Sequence, residues 1–187
     1  HHLLSLINDV LDLSKIEAGR YELEEEQVDL SRIIEPVVRL VRERALRKDL
    51  TLRSEIEPLP VVMGDERALK QILINLLTNA VKFTERGGEI EVSGRQEETG
   101  DVLLAVRDTG IGIAADQIPK VLEPFGQARN AYMAGESGTG LGLPITRSLV
   151  NLHGGSLAID SVLGVGTTVT IRLPALRVVQ QRMIAAV

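Results

Sequence analysis

Eleven of the seventeen glycines of this 187-residue chain fall between Asp108 and Gly166, at positions 110, 112, 126, 135, 138, 140, 142, 154, 155, 164 and 166. Glycine punctuates helices and strands, so this half of the chain must be built from short elements joined by tight turns. Helical segments fit only at Ala115 to Leu122 and Leu141 to Leu152, and strands at Ser156 to Ser161 and Thr167 to Leu173, with Pro174 stopping the sheet. The first half is different. From Asp65 to Thr84 the spacing predicts one long helix, capped by Asp65 and closed by Gly87-Gly88. Strand patterns flank it at Leu50 to Ile56, Val61 to Gly64, Glu89 to Gln96 and Val102 to Arg107. Strands and helices alternate with hairpin-like neighbours mixed in, which predicts a mixed sheet.

Ahead of these elements, Asp29 or Ser31 can cap a helix with apolar positions Ile33, Ile34, Val37, Val38 and Val41; Pro36 falls late for its first turn. The acidic stretch Tyr21 to Val28 reads as an edge strand or a linker. Leu3 to Ile16 forms a helix with a broad apolar stripe, ended by Gly19, and the tail after Pro174 carries Leu176, Val179 and Met183 at helical spacing.

Composition narrows the chemistry. With no cysteine there is no disulfide, thiolate zinc site or cysteine nucleophile, and three histidines leave little for a metal site or a protease-type triad. A net charge of -5 with 2% aromatic residues argues against a nucleic-acid groove, which wants basic excess and stacking platforms. No apolar run approaches the roughly 18 residues of a membrane helix, so the chain reads as soluble, without membrane contact.

Three clusters carry candidate chemistry. On the long helix, Asn75, Asn79 and Lys82 fall within about 60° of one another beside an apolar arc. Amide oxygens suit a hard cation and an ammonium suits phosphate, yet no carboxylate stands with them, and an ordinary polar helix flank gives the same pattern. Asp108-Thr-Gly110-Ile-Gly112 follows a strand directly, where an aspartate can accept from an exocyclic amine and glycines let a ligand approach the backbone. Gly138-Thr139-Gly140-Leu141-Gly142 opens a helix, where free N–H groups favour phosphate. Each glycine cluster alone is equally a turn. Neither is a P-loop, because the dipeptide Gly-Lys occurs nowhere.

In order, Asn-x-x-x-Asn-x-x-Lys, Asp-x-Gly-x-Gly, Pro124-Phe125, Gly-x-Gly-x-Gly and Gly164-Val-Gly166-Thr167 resemble the N, G1, F, G2 and G3 boxes of the ATP-binding catalytic domain of sensor histidine kinases. Leu13-Ser-Lys-Ile-Glu-Ala-Gly19 is similar to part of the second helix of that family's dimerisation and phosphoacceptor hairpin. The resemblance implies a Bergerat-type α/β (α+β) sandwich, with helices on one face of a mixed sheet, preceded by one long helix. It implies a division into residues 1–19 (hairpin helix), 20–28 (linker), 29–174 (catalytic domain) and 175–187 (tail or connector). Transferred residue by residue, it places Mg²⁺ on Asn79, phosphates or their water shell on Asn75 and Lys82, and the adenine amine on Asp108. Gly110 and Gly112 admit the base, and Thr167 fixes the adenine side. Gly138, Thr139, Gly140, Leu141 and Gly142 shape the phosphate end, and Phe125 packs under a lid of roughly residues 126–137.

The implied ligands are ATP and Mg²⁺. The implied partners are the phosphoacceptor histidine helix of the parent kinase, a response regulator receiver domain and a second copy in a full-length homodimer. The implied location is cytoplasmic, whether or not the parent is membrane-anchored. Departures from the family's pattern are the near absence of basic residues in the lid, where only Arg129 stands, Val169 where an aromatic is frequent, and the absence of any acceptor motif around His1-His2. Besides a kinase module, a degenerate nucleotide-binding signalling module and a water-activating ATPase of the same superfamily remain open. Against the last, Asn75 stands where those ATPases carry a glutamate, and an amide cannot take up a proton.

Overall fold

The computed structural model describes residues 2–128 and 138–179. Its elements are α1 (His2–Glu17), β1 (Glu26–Asp29), α2 (Leu30–Arg47), β2 (Thr51–Ile56), β3 (Val61–Gly64), α3 (Glu66–Phe83), β4 (Glu89–Gln96), β5 (Val102–Asp108), α4 (Ile118–Val121), α5 (Gly142–Leu152), β6 (Ser156–Val162) and β7 (Gly166–Leu173). Single 3-10 turns lie at Ala115–Gln117 and Ala175–Arg177. Five strands form one sheet in the order β2-β4-β5-β7-β6, parallel between β2 and β4 and antiparallel elsewhere. The acidic stretch resolves in part: Glu26–Asp29 pairs antiparallel with β3, so the predicted linker of residues 20–28 ends inside a strand.

Period-two alternation assigns the faces. Ile90, Val92, Leu104, Val106, Val169 and Ile171 point from the sheet toward the helices and are buried. Against them α3 buries Leu69, Ile72, Leu73, Leu76, Leu77 and Ala80, at the spacing a 3.6-residue period requires. Helix α2 buries Leu30, Ile33, Ile34, Val37, Val38 and Val41 and keeps Pro36 on its exposed side. Asp29 caps it by accepting from Ser31 N.

Helix α3 is pinned at both ends, which matters because it carries the predicted amides. At its start Asp65 divides its carboxylate, one oxygen accepting from Ala68 N (3.0 Å) and the other from Glu24 N (3.1 Å). Asp65's own N–H donates to His153 Nε2 (3.1 Å), while His153 Nδ1 lies 2.7 Å from Leu149 O. Since Nε2 accepts, the ring proton sits on Nδ1, and the imidazole bolts the end of α5 to the start of α3. Arg177 closes the group, donating to His153 O (2.9 Å) and pairing with Glu25. At the other end Lys48 donates to Val81 O (3.1 Å) and Lys82 O (2.6 Å), satisfying carbonyls that a helix terminus leaves bare.

The apolar stripe of α1 divides in two. Leu13 and Ile16 pack on the core, whereas Ile7, Val10 and Leu11 remain exposed. The helical spacing read in the tail meets a 3-10 turn at Ala175–Arg177 and a bridge between Val178 and Val62; Met183 lies outside the described residues.

Candidate functional site

A cavity of about 740 Å³ opens along α3, between the end of β5 and the start of α5. Asn75, Asn79, Lys82, Asp108, Gly112, Gly138, Thr139, Gly140, Gly142 and Thr167, all singled out from the sequence, line it. Three stretches separated by up to 92 positions thus meet in one space.

At one end, Asp108 ends β5 directly opposite Thr167 of β7. Its carboxylate accepts from Gly110 N (2.8 Å), which fixes one oxygen in the turn. Burial raises its proton affinity above the ordinary carboxylate value of 3.8, and the N–H groups of Gly110 and Thr167 partly oppose that rise. Gly110 is required by the turn: a Cβ there would stand 2.4 Å from Phe83 O. Gly112 adopts φ +65°, and its Cβ would stand 2.1 Å from Val162 O. The walls here are apolar, supplied by Ile111, Ile113, Val121, Ala128, Leu143 and Val169.

The two asparagines differ in a way their spacing did not show. Asn75 is engaged: its Oδ1 accepts from Gln71 Nε2 (3.0 Å), and its Nδ2 donates to Gly142 O (3.2 Å) and faces Thr146 Oγ1 (3.4 Å). It therefore ties α3 to the first turn of α5. Asn79, one turn on, makes no hydrogen bond among the described residues and borders the same glycine, 3.8 Å from where a Gly142 Cβ would stand. Lys82 places its Nζ 4.7 Å from the Phe83 ring centroid and so close to Gly138 that a Cβ there would come within 2.4 Å. At the start of α5, Gly142 and Leu143 line the cavity, and their N–H groups precede the first intrahelical bond, Ile145 N to Leu141 O (3.0 Å).

Other predicted residues stand outside the wall. Gly110 holds the turn, Leu141 is fully buried beneath the helix start, and Phe125 is 64% exposed with φ 61°. Residues 129–137 of the predicted lid, Arg129 included, lie outside the described residues.

The structure adds residues that the sequence pattern did not mark. Gln71 and Thr78 line the cavity from α3, Arg44 from α2, and Asp9 from α1. Gln71 was legible as one turn before Asn75 on the same face; Asp9 and Arg44 arrive through tertiary packing, which no local spacing encodes. Among the described residues no group of three or more His, Cys, Asp or Glu could hold a metal ion.

Residues 64–177 match the model of the family described as histidine kinase-, DNA gyrase B-, and HSP90-like ATPase. The chain belongs to that family. Within it, the non-motile and phage-resistance protein of Caulobacter vibrioides is 46% identical over 92% of this chain and 21% of its own length. The histidine protein kinase DivJ of the same organism is 44% identical over 94% of this chain and 29% of its own. The chain thus spans less than a third of these relatives. Among solved structures, full-length ShkA in complex with AMPPNP superposes with a TM-score of 0.82 at 36% identity, covering 92% of this chain and 36% of that one. The mixed α/β sandwich expected from the sequence is the fold these structures share.

Proposed function

We propose that the chain is the ATP-binding catalytic module of a histidine kinase: it holds Mg-ATP and presents the γ-phosphoryl to an imidazole on a separate helix. The observation that carries the reading is the single cavity with an acceptor pair, Asp108 and Thr167, at one end and Asn79, Lys82 and the start of α5 at the other. A 6-aminopurine fits the first end, where the Asp108 carboxylate, steadied by the N–H groups of Gly110 and Thr167, keeps lone pairs to accept from an exocyclic amine. Triphosphate oxygens fit the second, where Lys82 supplies positive charge and α5 its N–H groups.

The donor set also fits magnesium, provided the nucleotide shares it. Asn79 offers one hard amide oxygen, too few for an ion held by protein alone, and polyphosphate oxygens complete the shell. When bound, the ion neutralises charge on the phosphates. The chain's own residues do the rest. Asn75, held by Gly142 and Gln71, fixes the spacing between α3 and α5, and Lys82 stabilises the charge of the leaving diphosphate. No base is required here, because a neutral imidazole attacks with its own lone pair. Water, by contrast, needs a base to attack, and Asn75 cannot take up its proton.

In this reading residues 1–19 belong to the hairpin that also carries the acceptor histidine, and residues 29–174 form the catalytic domain. The exposed Ile7, Val10 and Leu11 serve the dimer of the full-length protein. A response regulator receiver domain then takes the phosphoryl group, in the cytoplasm. Incubation of this chain with radiolabelled ATP, Mg²⁺ and a separately produced acceptor hairpin tests the proposal: acid-labile label on the hairpin's histidine is expected. Nucleotide binding without any label would instead make the module a non-transferring one.

A further inference from the structure

Ser161 stands on β6 behind the cavity wall and touches no part of the space itself. Its Oγ lies 2.8 Å from Ile113 N, 2.9 Å from Gly166 O and 2.8 Å from Thr167 Oγ1. A serine hydroxyl has one proton and two lone pairs. The Ile113 N–H can only donate and the Gly166 carbonyl can only accept, so they take one lone pair and the proton. Only a lone pair is left for Thr167, whose hydroxyl must therefore donate to Ser161. With its proton turned away, Thr167 shows the cavity lone pairs alone. Asp108, directly across the ladder, shows the same cavity a carboxylate, which in its ionised form also only accepts.

Two side-chain acceptors side by side, the Thr167 N–H being already turned to the carboxylate, select a group that brings hydrogens. An exocyclic amine does so; a carbonyl at the same ring position meets lone pair against lone pair. We infer that Ser161, by fixing the proton of Thr167, sets the base specificity of this site for 6-amino over 6-oxo purine nucleotides. The inference rests on the nucleotide reading above and adds to it a specificity-determining residue that never contacts the ligand. Removing the Ser161 hydroxyl frees the Thr167 rotor, which can then donate to a 6-oxo group.

Calorimetric titration with Mg-ATP and Mg-ITP, which differ at that ring position, separates the two roles Ser161 can play. Ser161→Ala should lower the ATP:ITP affinity ratio by about tenfold, the equivalent of one hydrogen bond of about 1.4 kcal/mol. A merely structural hydroxyl, holding Ile113 and Gly166 in place, would weaken both ligands alike and leave the ratio where it was. Ser161→Thr keeps the hydroxyl and should keep the ratio. Thr167→Val should lower the ratio as Ser161→Ala does, and adding Ser161→Ala to it should change the ratio no further. If the alanine variant does not fold, Ser161→Cys, close in volume but a weak hydrogen-bonding partner, should show the same direction of change. A wild-type chain that binds ATP over ITP, with the ratio intact in the alanine or cysteine variant, overturns the role of Ser161 alone. A wild-type chain that binds neither triphosphate overturns the nucleotide reading and this inference with it.

Discussion

Replacing Asp108 by Asn is the most informative single perturbation of the cavity. The amide oxygen of an asparagine can still accept from Gly110 N, which in the native chain lies 2.8 Å from the carboxylate, so the turn after β5 survives. What changes is the atom facing the cavity: an acceptor becomes an NH₂ donor, set against the amine it is meant to receive. The loss is that of a charge-assisted hydrogen bond, about 1.5 to 3 kcal/mol, or roughly 10- to 150-fold in dissociation constant. Titration calorimetry with Mg-ATP reads it directly, with melting temperature as the control for folding. The native residue also predicts a pH signature. Binding requires the carboxylate, while burial raises its proton affinity in the empty site above 3.8. Protonation therefore competes with ATP: affinity is full above that raised value and falls as pH drops through it, earlier than an exposed aspartate would allow. In Asp108→Asn this component of the pH dependence disappears. Equal ATP affinity in the variant would refute the assignment of this end of the cavity to the base.

Asn79→Ala should abolish most of the affinity difference between ATP with and without Mg²⁺, because Asn79 is the unengaged amide of the pair; an undiminished difference in parallel titrations removes the ion from that residue. Gly112→Ala should cost about 2 to 4 kcal/mol in urea denaturation, summing a left-handed backbone with a Cβ placed 2.1 Å from Val162 O. Gly19→Ala, at φ +64° with nothing within 4 Å, should cost only about 1 to 2 kcal/mol, and equal costs would discount the Val162 contact. Burial lowers the proton affinity of His153, opposed by the Leu149 carbonyl and by Asp65 and Glu25 and reinforced by Arg177. The unfolded chain then takes up a proton near the ordinary 6.5 that the native state resists, so stability should fall as pH drops below that value. Melting curves between about pH 8 and pH 5 test this, and the slope should flatten in His153→Gln.

The sequence is most legible where local chemistry decides. The helix expected from Asp65 to Thr84 runs from Glu66 to Phe83 with those two residues as its caps, since a capping carboxylate and an apolar period act within a few residues. The expected helix at Ala115 to Leu122 breaks into a 3-10 turn and the four-residue α4, with Pro119 unable to donate within it. Tyr21 to Val28 could not be resolved from its own residues, because pairing of Glu26–Asp29 with β3 is a contact across more than thirty positions. The cavity divides likewise. Its glycines and Asn79 announce themselves by spacing, whereas the engagement of Asn75 by Gly142, the arrival of Asp9, and the position of Ser161 behind Thr167 are set by the packing of distant segments.

The shared carboxylate of Asp65 makes the entry to α3 a mechanical junction. One oxygen holds the chain arriving at Glu24, the other the first turn of the helix that bears Asn75 and Asn79, and the same residue's amide leans on the far end of α5. A tug on the segment that follows α1 would be felt first as a loosened helix cap, a strain of about 0.5 to 2 kcal/mol delivered to the rod on which the amides are mounted.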